Sequence, residues 1–313
     1  MRRYWRVLLA LVIAVNLALA FPASPAAAGI VPAMMAADEP SLPLVPKVVP
    51  ERRHDVYDLK VRLKELGFYA GPLDDCYDAP AVEAVRRFQR SYWLGATGTV
   101  DNPTWRALAH GVVRPSRPAA GPPPEGALAI EIDTEKLTLT LICDGTPWRK
   151  YPVAAGKWET MTPVGEWRIV DKGVKVGGPF GSRWMALDVP WGQYGIHGTN
   201  MPWTIGGYFS SGCVRMFNED VDEVFDLVPY GTLVTVKGYR PSLDFGQVLG
   251  LGSAAPEVVG LQQALRARGF EAGRCDGVYG STTAAKIAEV ASVYGLSVGK
   301  DMVRDVIRLL GLK

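Results

Sequence analysis

The stretch Leu128–Cys143 reads LAIEIDTEKLTLTLIC and decides the fold of the middle of the chain. Apolar residues occupy every second position in both of its halves: Leu128, Ile130, Ile132, Leu137, Leu139 and Leu141. A period of two is typical of a β-strand with one buried face, because successive side chains point to opposite faces. Similar runs follow, separated by glycine and proline turns, and they predict a sandwich or barrel of mostly antiparallel strands over 127–238.

One helix is predicted inside this β block. Asn218 suits its N-cap, and the next two residues are acidic, which is favourable in a first turn. Its predicted buried face comprises Val221, Val224 and Phe225.

Two segments that flank the β block are copies of each other. Leu59 and Leu261 are 202 positions apart, and the same offset relates Leu63 to Leu265, Gly67 to Gly269, Asp74 to Asp276, Tyr77 to Tyr279 and Leu108 to Leu310. An ungapped match over about fifty positions predicts that both segments fold alike. Apolar residues at helical spacing around a Gly/Asp-rich turn predict a small three-helix domain in each.

Stretches rich in proline, glycine or alanine separate these blocks and are typical of linkers. The predicted parts are a signal peptide 1–28, a linker 29–54, a first helical domain 55–111, a linker 112–126, a β domain 127–238, a linker 239–255 and a second, degenerate helical domain 256–312. The fold class is α+β with several domains, because 313 residues exceed what one core usually organises.

The composition excludes some classes of protein. Hydrophobic residues make up 48% and charged residues 21%, as in a globular protein that buries a core. The net charge is +2, without a long basic run, so we expect no nucleic-acid partner.

The N-terminus resembles a secretory signal, with Arg2 and Arg3 before the apolar stretch Val7–Phe21 and small residues up to Ala28. That stretch is shorter than the roughly 20 residues that cross a bilayer, which favours cleavage near Ala28 over a retained anchor. We expect a secreted protein of the cell wall or extracytoplasmic envelope, with no stable membrane insertion after cleavage.

The four cysteines, Cys76, Cys143, Cys213 and Cys275, are widely spaced and form no CxxC pair, so no disulfide framework is expected. The three histidines are isolated, and neither a metal site nor a cofactor is expected.

The segment from Ile196 to Met216 carries the predicted chemistry. It contains His197 and Cys213, and His197 is the only histidine of the β block. An ordinary thiol is only about 3% ionised at neutral pH, so a nucleophilic cysteine needs a basic partner or a shifted pKa. Gly212 leaves room for a substrate carbonyl and lets backbone N–H groups turn toward an oxyanion. Arg215 is interpreted either as holding a substrate carboxylate or as pairing with Asp220.

This segment resembles the catalytic domain of the L,D-transpeptidases of the YkuD family, whose motif is His-Gly-Thr followed by Ser-x-Gly-Cys-x-Arg. Upstream, Gly156-Lys157 and Thr162–Gly165 belong to the same likeness. Many members carry histidine where this chain has Ser211. The resemblance implies that Cys213 is the nucleophile, that His197 is its base and that the Gly198 carbonyl orients the imidazole. Gly212 joins this catalytic set, and Thr199, Ser210, Ser211 and Arg215 are predicted to contact the substrate.

The family reaction implied by this resemblance has two steps and needs no cofactor. The thiolate attacks the carbonyl between the third, dibasic residue of a tetrapeptide stem and its terminal D-Ala, which leaves a thioester. An amine of a second stem then forms the cross-link. Peptidoglycan stem peptides and glycan are therefore the implied partners, and carbapenems are implied to acylate Cys213.

The flanking segments resemble the peptidoglycan-binding domain of bacterial wall enzymes, through Leu59-x3-Leu63-x3-Gly67-Phe68, Gly71, Asp74 and Val85-x2-Phe88-Gln89. The second copy departs further, with Val290-Ala291 in place of Phe88-Gln89. The alternative interpretation is that both copies are packing modules only.

Other functions fit the same residues. Water in place of the acceptor amine would give an L,D-carboxypeptidase, and a chain in which only the repeats function would be a non-catalytic wall-binding protein. Papain-like enzymes place cysteine before histidine, and sortases carry threonine where this chain has Gly212, so both fit poorly.

Overall fold

A computed structural model of the chain describes residues 43–112, 125–174, 178–240, 242–247, 249–299 and 301–312. The predicted signal peptide 1–28 and most of the linkers 29–54 and 112–126 lie outside these residues. Within them, no helix is both long and apolar enough to cross a membrane.

The strands are β1 (Glu51–Arg52), β2 (Cys76–Tyr77), β3 (Leu128–Asp133), β4 (Thr138–Cys143), β5 (Thr146–Pro152), β6 (Ala155–Gly156), β7 (Gly165–Val174), β8 (Arg183–Leu187), β9 (Tyr194–His197), β10 (Tyr208–Ser210), β11 (Val214–Arg215) and β12 (Leu233–Lys237). The helices are α1 (His54–Glu65), α2 (Ala79–Ser91), α3 (Asn102–Leu108), α4 (Asn218–Leu227), α5 (Pro256–Arg266), α6 (Ser281–Val293) and α7 (Met302–Leu309).

The β block forms a curled, mixed sheet with the strand order β11-β9-β8-β7-β12-β3-β4-β5. The pairs β11–β9 and β12–β3 are parallel, and the other neighbouring pairs are antiparallel. The predicted strands are therefore present in a mixed sheet, and the prediction of mostly antiparallel strands did not indicate which pairs would be parallel. Alternation along one strand indicates which face is buried, whereas the direction of its neighbour depends on contacts distant in sequence.

Four of the six alternating residues that predicted the strands lie in the buried core of this sheet, whereas Leu137 lies in the turn before β4. In the register of β3 and β4, Ile130 lies opposite Leu141 and Ile132 opposite Leu139, and all four are buried. Trp167 of β7 is fully buried beside them and donates its Nε1–H to the carbonyl of Pro163 at 2.9 Å.

Helix α4 closes one side of this core through Val221 and Val224, which are both fully buried, as predicted. Its N-cap is Phe217 and not Asn218. The Asn218 side chain is instead used by two neighbouring loops, described below, so it is not available to cap its own helix.

The repeat in the sequence is also a repeat in the structure. Helices α1 and α5 begin 202 positions apart, as do α2 and α6, and the bridge between Arg52 and Cys76 corresponds to that between Ala254 and Val278. Inside the first segment the buried Lys60 binds Asp74 at 2.6 Å. At the equivalent positions Gln262 binds Asp276 at 3.0 Å, so a neutral amide replaces the ammonium group.

The second helical segment packs on β7 through Glu166. The Glu166 carboxylate accepts two hydrogen bonds from Arg266, at 2.5 and 3.0 Å, and one from the Cys275 backbone N–H at 3.1 Å. Arg274 adds a contact of 2.8 Å to Asp188. The bonds from Arg266 are the main reason that the pKa of Glu166 lies below its ordinary value.

We expect Glu166→Gln to lower the free energy of unfolding by about 1 kcal/mol at pH 7, a modest value because solvent screens the partly exposed pair. A carboxyl group whose pKa is lower in the folded chain than in the unfolded chain stabilises the fold at pH values above its unfolded pKa, near 4.3. This contribution disappears as the pH falls through the lower pKa of the folded state. The difference between wild type and variant, measured by urea unfolding, should be constant from pH 8 to 5.5 and shrink below pH 4.3.

Glu289→Gln is the matched control, because Glu289 pairs only with Lys286 on an exposed face of α6. We expect this change to cost less than about 0.5 kcal/mol. Equal effects of the two substitutions at pH 7 would contradict the role given to Glu166.

Candidate active site

Strands β9 and β11 bring the predicted catalytic residues together. They pair in parallel, with Val214 opposite Ile196 and Arg215 opposite His197. Cys213 comes one residue before β11, so the same register places it beside Gly195, two positions from His197. With strands about 4.8 Å apart and a rise of about 3.3 Å per residue, the Cα atoms of Cys213 and His197 are about 8 Å apart, a diagonal that side chains can span.

Alternation along the strands determines which face these side chains occupy. Val214 and Ile196 are buried in the core of the sheet. Their neighbours Cys213, Arg215 and His197 therefore lie on the opposite face. Gly195, which the register places beside Cys213, contributes no side chain to this face.

His197 is held by aromatic rings and by a backbone carbonyl. Its ring stacks on Trp184, with centroids 5.5 Å apart, and meets the edge of Phe180 at 5.0 Å. Nδ1 lies 2.5 Å from the carbonyl oxygen of Gly198. Because a carbonyl only accepts hydrogen bonds, this contact favours the tautomer with the proton on Nδ1 and leaves the lone pair of Nε2 to act as a base.

Asn218 fixes the loop that carries the Gly198 carbonyl. Its Oδ1 accepts hydrogen bonds from the backbone N–H groups of Thr199, at 3.0 Å, and Ser182, at 3.2 Å. A Cβ on Gly198 would come within 3.0 Å of the Ser182 nitrogen, so a larger residue would displace this clamp. Asn218 is thus a positioning residue for the imidazole.

The loop before the nucleophile is shaped by Ser210 and Gly212. Ser210 Oγ donates to the Cys213 carbonyl at 2.5 Å and accepts from the Gly212 N–H at 3.1 Å. Gly212 has φ +110°, and a Cβ there would lie 2.6 Å from Cε1 of Tyr194. The Gly212 N–H, predicted to turn toward an oxyanion, is therefore already bound, whereas the Cys213 N–H has no acceptor among the described residues.

Burial keeps both catalytic candidates neutral at rest. It lowers the pKa of His197 to about 3, with a further lowering from the positive charge of Arg215. It raises the pKa of the Cys213 thiol to about 11, against the opposing effects of a backbone hydrogen bond from Gly195 and of Arg215. At neutral pH the pair is a thiol and an imidazole, and charge separates only when the thiol gives up its proton.

Arg215 forms an ion pair with Asp58, a residue of the first helical segment. The distance from Nη1 to Oδ2 is 2.8 Å, and the side chains are 9% and 0% exposed. Burial raises the pKa of Asp58, while Arg215 acts in the opposite direction. The sequence-based alternatives for Arg215 were a substrate carboxylate or Asp220, and the ion pair found here is with neither.

Aromatic contacts surround this ion pair. Trp203 donates its Nε1–H to the Asp58 carbonyl at 3.4 Å and stacks on Trp105 of α3, with centroids 6.2 Å apart. Met201 is part of the same apolar cluster as the helices of the first segment. The first helical segment is therefore packed directly against the loop that follows His197.

The residues predicted to contact substrate have different environments. Thr199 accepts a hydrogen bond from the Met201 N–H, Ser210 supports the nucleophile loop, and Arg215 binds Asp58. All three are buried, and their polar atoms are engaged within the protein. Ser211 alone of the four is exposed beside Cys213, and its contact with substrate stays a prediction.

A cavity of about 660 Å³ lies between the first helical segment and the loop 198–200. Its walls include Trp105, Arg106, Ser182, Arg183, Asn200 and Glu219. Its walls also include Thr199 and Asn218, which belong to the hydrogen-bonded loop that follows His197. No disulfide joins any two of the four cysteines.

Two positioning residues were missed from the sequence. Asp58 is on the buried side of an amphipathic helix, and nothing in its neighbourhood indicates a partner 157 positions away. Trp184 was part of no quoted pattern, although it stacks on His197. Asn218 was noticed, but as a helix cap.

Two family models match parts of this chain. The family model "L,D-transpeptidase catalytic domain" matches residues 127–236, and the model "Putative peptidoglycan binding domain" matches 52–108. The chain is 45% identical to "Putative L,D-transpeptidase YkuD" of Bacillus subtilis over 109 residues, which cover 35% of this chain and 64% of that protein. The chain thus spans slightly less than two thirds of this relative.

A second relative is matched over more of its length. "Putative L,D-transpeptidase YqjB" of Bacillus subtilis is 31% identical over 140 residues, covering 40% of this chain and 80% of that protein. Among solved structures, an L,D-transpeptidase from Xylanimonas cellulosilytica is 26% identical, covers 64% of this chain and all of its own, and has a TM-score of 0.32. By this second relative and by the catalytic-domain model over 127–236, the chain belongs to the L,D-transpeptidase family.

We expect Asp58→Ala to lower the free energy of unfolding by about 3–5 kcal/mol, because it leaves the buried Arg215 guanidinium without a counter-charge. Urea unfolding measures this effect. The double variant Asp58→Leu, Arg215→Met should recover most of the loss, since it removes both charges.

Asp301→Ala removes an exposed carboxylate paired with Arg304 and is the control, with an expected cost below about 1 kcal/mol. If Asp58→Ala is no more costly than this control, Asp58 and Arg215 do not form a buried pair in solution.

The neutral resting pair predicts how alkylation of Cys213 depends on pH. A thiol pKa of about 11 means that the thiolate fraction, and hence the rate of reaction with iodoacetamide, rises about tenfold per unit from pH 7 to pH 10. Peptide mass spectrometry measures labelling of Cys213 separately from the other cysteines. A rate that is already constant between pH 6 and 8 would indicate a preformed thiolate–imidazolium pair instead.

Proposed function

We propose that this protein is a peptidoglycan L,D-transpeptidase that forms cross-links through a thioester on Cys213. The observation that carries the proposal is the pairing of β9 with β11, which puts a cysteine and a buried histidine, whose Nδ1 contacts the Gly198 carbonyl, on one face of the sheet. Membership in the L,D-transpeptidase family supports the same conclusion and supplies the substrate class.

In the first step, the Cys213 thiol transfers its proton to His197 Nε2 as the sulfur attacks the carbonyl of the third stem residue. The C–N bond to D-Ala breaks, His197 returns the proton to the leaving amine, and a thioester remains. In the second step an amine of another stem attacks the thioester, and His197 takes its proton. Sulfur leaves as thiolate and is reprotonated, so no cofactor is consumed.

The Cys213 N–H is the proposed donor to the oxyanion of both tetrahedral intermediates. It is adjacent to the attacking sulfur and has no acceptor among the described residues, whereas the Gly212 N–H is bound to Ser210. Gly198 and Asn218 act by orienting the imidazole and are positioning residues, not proton carriers.

The domain organisation is part of the proposal. Residues 127–238 form the catalytic domain, and 55–111 and 256–312 are small three-helix domains on either side. The first is the proposed peptidoglycan-binding domain, supported by the family match over 52–108. The second shares its helix positions and differs at the Gln89 equivalent, Ala291. Such a protein would act in the extracytoplasmic envelope.

Intact-mass spectrometry after mixing the protein with a tetrapeptide stem tests this function. We expect an adduct with the mass of the stem minus D-Ala, and its loss when an acceptor stem is added. Cys213→Ala should give no adduct, and His197→Ala should slow its formation at least about a hundredfold, as expected for loss of a general base. Cys275→Ala is the control thiol substitution and should retain the adduct.

A carbapenem provides a second test of the same nucleophile, because opening of its lactam ring by a thiolate leaves the whole molecule attached to sulfur. We expect the mass of one carbapenem on the wild type and none on Cys213→Ala. An unmodified wild type with both stem and carbapenem, in a folded protein, would overturn the enzymatic proposal and favour a wall-binding role.

A further inference from the structure

A second cleft, of about 320 Å³, has aromatic walls. Trp158, Tyr208 and Tyr239 line it and are 67%, 51% and 51% exposed. Trp158 and Tyr239 stack on each other with centroids 4.8 Å apart, so the tryptophan keeps one face toward solvent. Three large exposed aromatic side chains in one cleft are unusual on a protein surface and mark a binding site.

The cleft is built onto the loop that carries Cys213. Its wall residue Gly156 pairs with Ser210, and the Ser210 carbonyl accepts hydrogen bonds from the Lys157 N–H and Thr160 Oγ1, both at 3.0 Å. Met161, another wall residue, lies next to Gly212: a Cβ on that glycine would be 3.4 Å from the Met161 carbonyl oxygen. The cleft and the nucleophile therefore share one rigid segment.

The walls combine flat apolar faces with a polar rim. The aromatic rings and Met161 are apolar, while the exposed Glu135 and the two tyrosines contribute a carboxylate and two hydroxyl groups to the lining. A pyranose ring has the same division, with C–H groups on its faces and hydroxyl or amide groups around its edge. Aromatic rings bind such faces by packing, and a carboxylate binds the hydroxyl and amide donors.

We infer that this cleft binds the N-acetylated sugar that bears the donor stem peptide. The inference rests on the proposed function, because the stem joins that sugar to the bond attacked by Cys213. The sugar is three residues away from the scissile carbonyl, a span of about 10 Å in extended chain. A cleft that begins at Met161, beside the nucleophile loop, is at the right order of distance. The catalytic domain would thus select stems attached to glycan over free peptides.

Acylation by a disaccharide-tetrapeptide and by the same tetrapeptide without sugar tests this inference. We expect Trp158→Ala to raise KM about tenfold for the sugar-bearing substrate, because one aromatic packing contact is lost. KM for the free peptide should be unchanged. Tyr208→Ala should behave likewise, and Trp158→Phe should retain most of the affinity. Tyr230→Ala removes an exposed tyrosine of the same domain outside the cleft and should change neither value.

Equal effects of Trp158→Ala and Tyr208→Ala on both substrates, or no effect on either, would overturn the inference. A binding measurement keeps it separate from the proposed function. Calorimetric titration of the Cys213→Ala variant with the free disaccharide should detect binding. The double variant Cys213→Ala, Trp158→Ala should show none. If the wild type acylates with neither substrate, the proposed function fails, and this titration still decides whether the cleft binds sugar.

Discussion

The ion pair between Asp58 and Arg215 holds the active-site strand and the first helical segment together. Arg215 is on β11 opposite His197, and its charge acts on the pKa of both His197 and Cys213. A guanidinium buried at this position requires a counter-charge, and the helical segment supplies it. The peptidoglycan-binding-like segment is thereby part of the structure around the nucleophile, and not a module attached only through a linker.

This dependence also explains the electrostatics of the site. Burial has the largest effect on both pKa values, so the thiol and the imidazole remain uncharged beside the positively charged Arg215. A neutral thiol in an oxidising envelope is less reactive than a thiolate toward oxidants and disulfides. The orientation of the imidazole by the Gly198 carbonyl then determines where the proton goes when a substrate carbonyl arrives.

The two helical repeats contact the catalytic sheet through different chemistry. The first places a buried carboxylate on the active-site strand and has a charged interior pair, Lys60 with Asp74. The second presents Arg266 and Arg274 to acidic residues of β7 and the loop after β8, on partly exposed surfaces, and has the neutral pair Gln262 with Asp276. The same fold thus supports an active-site contact in one copy and a peripheral contact in the other.

The sequence by itself determined the local elements and predicted the reactive pair. Period-two alternation identified β3 and β4, helical spacing and the 202-residue offset identified the repeated helices, and the motif around His197 and Cys213 predicted the chemistry. These signals lie within short windows, where side-chain periodicity reports burial directly. Only the tertiary structure decided that β12 runs parallel to β3, that Arg215 binds Asp58, and that Trp158, Tyr208 and Tyr239 share one cleft. The physical reason is that each of these contacts joins residues distant in the chain, whose meeting depends on how the whole sheet curls and not on any local pattern.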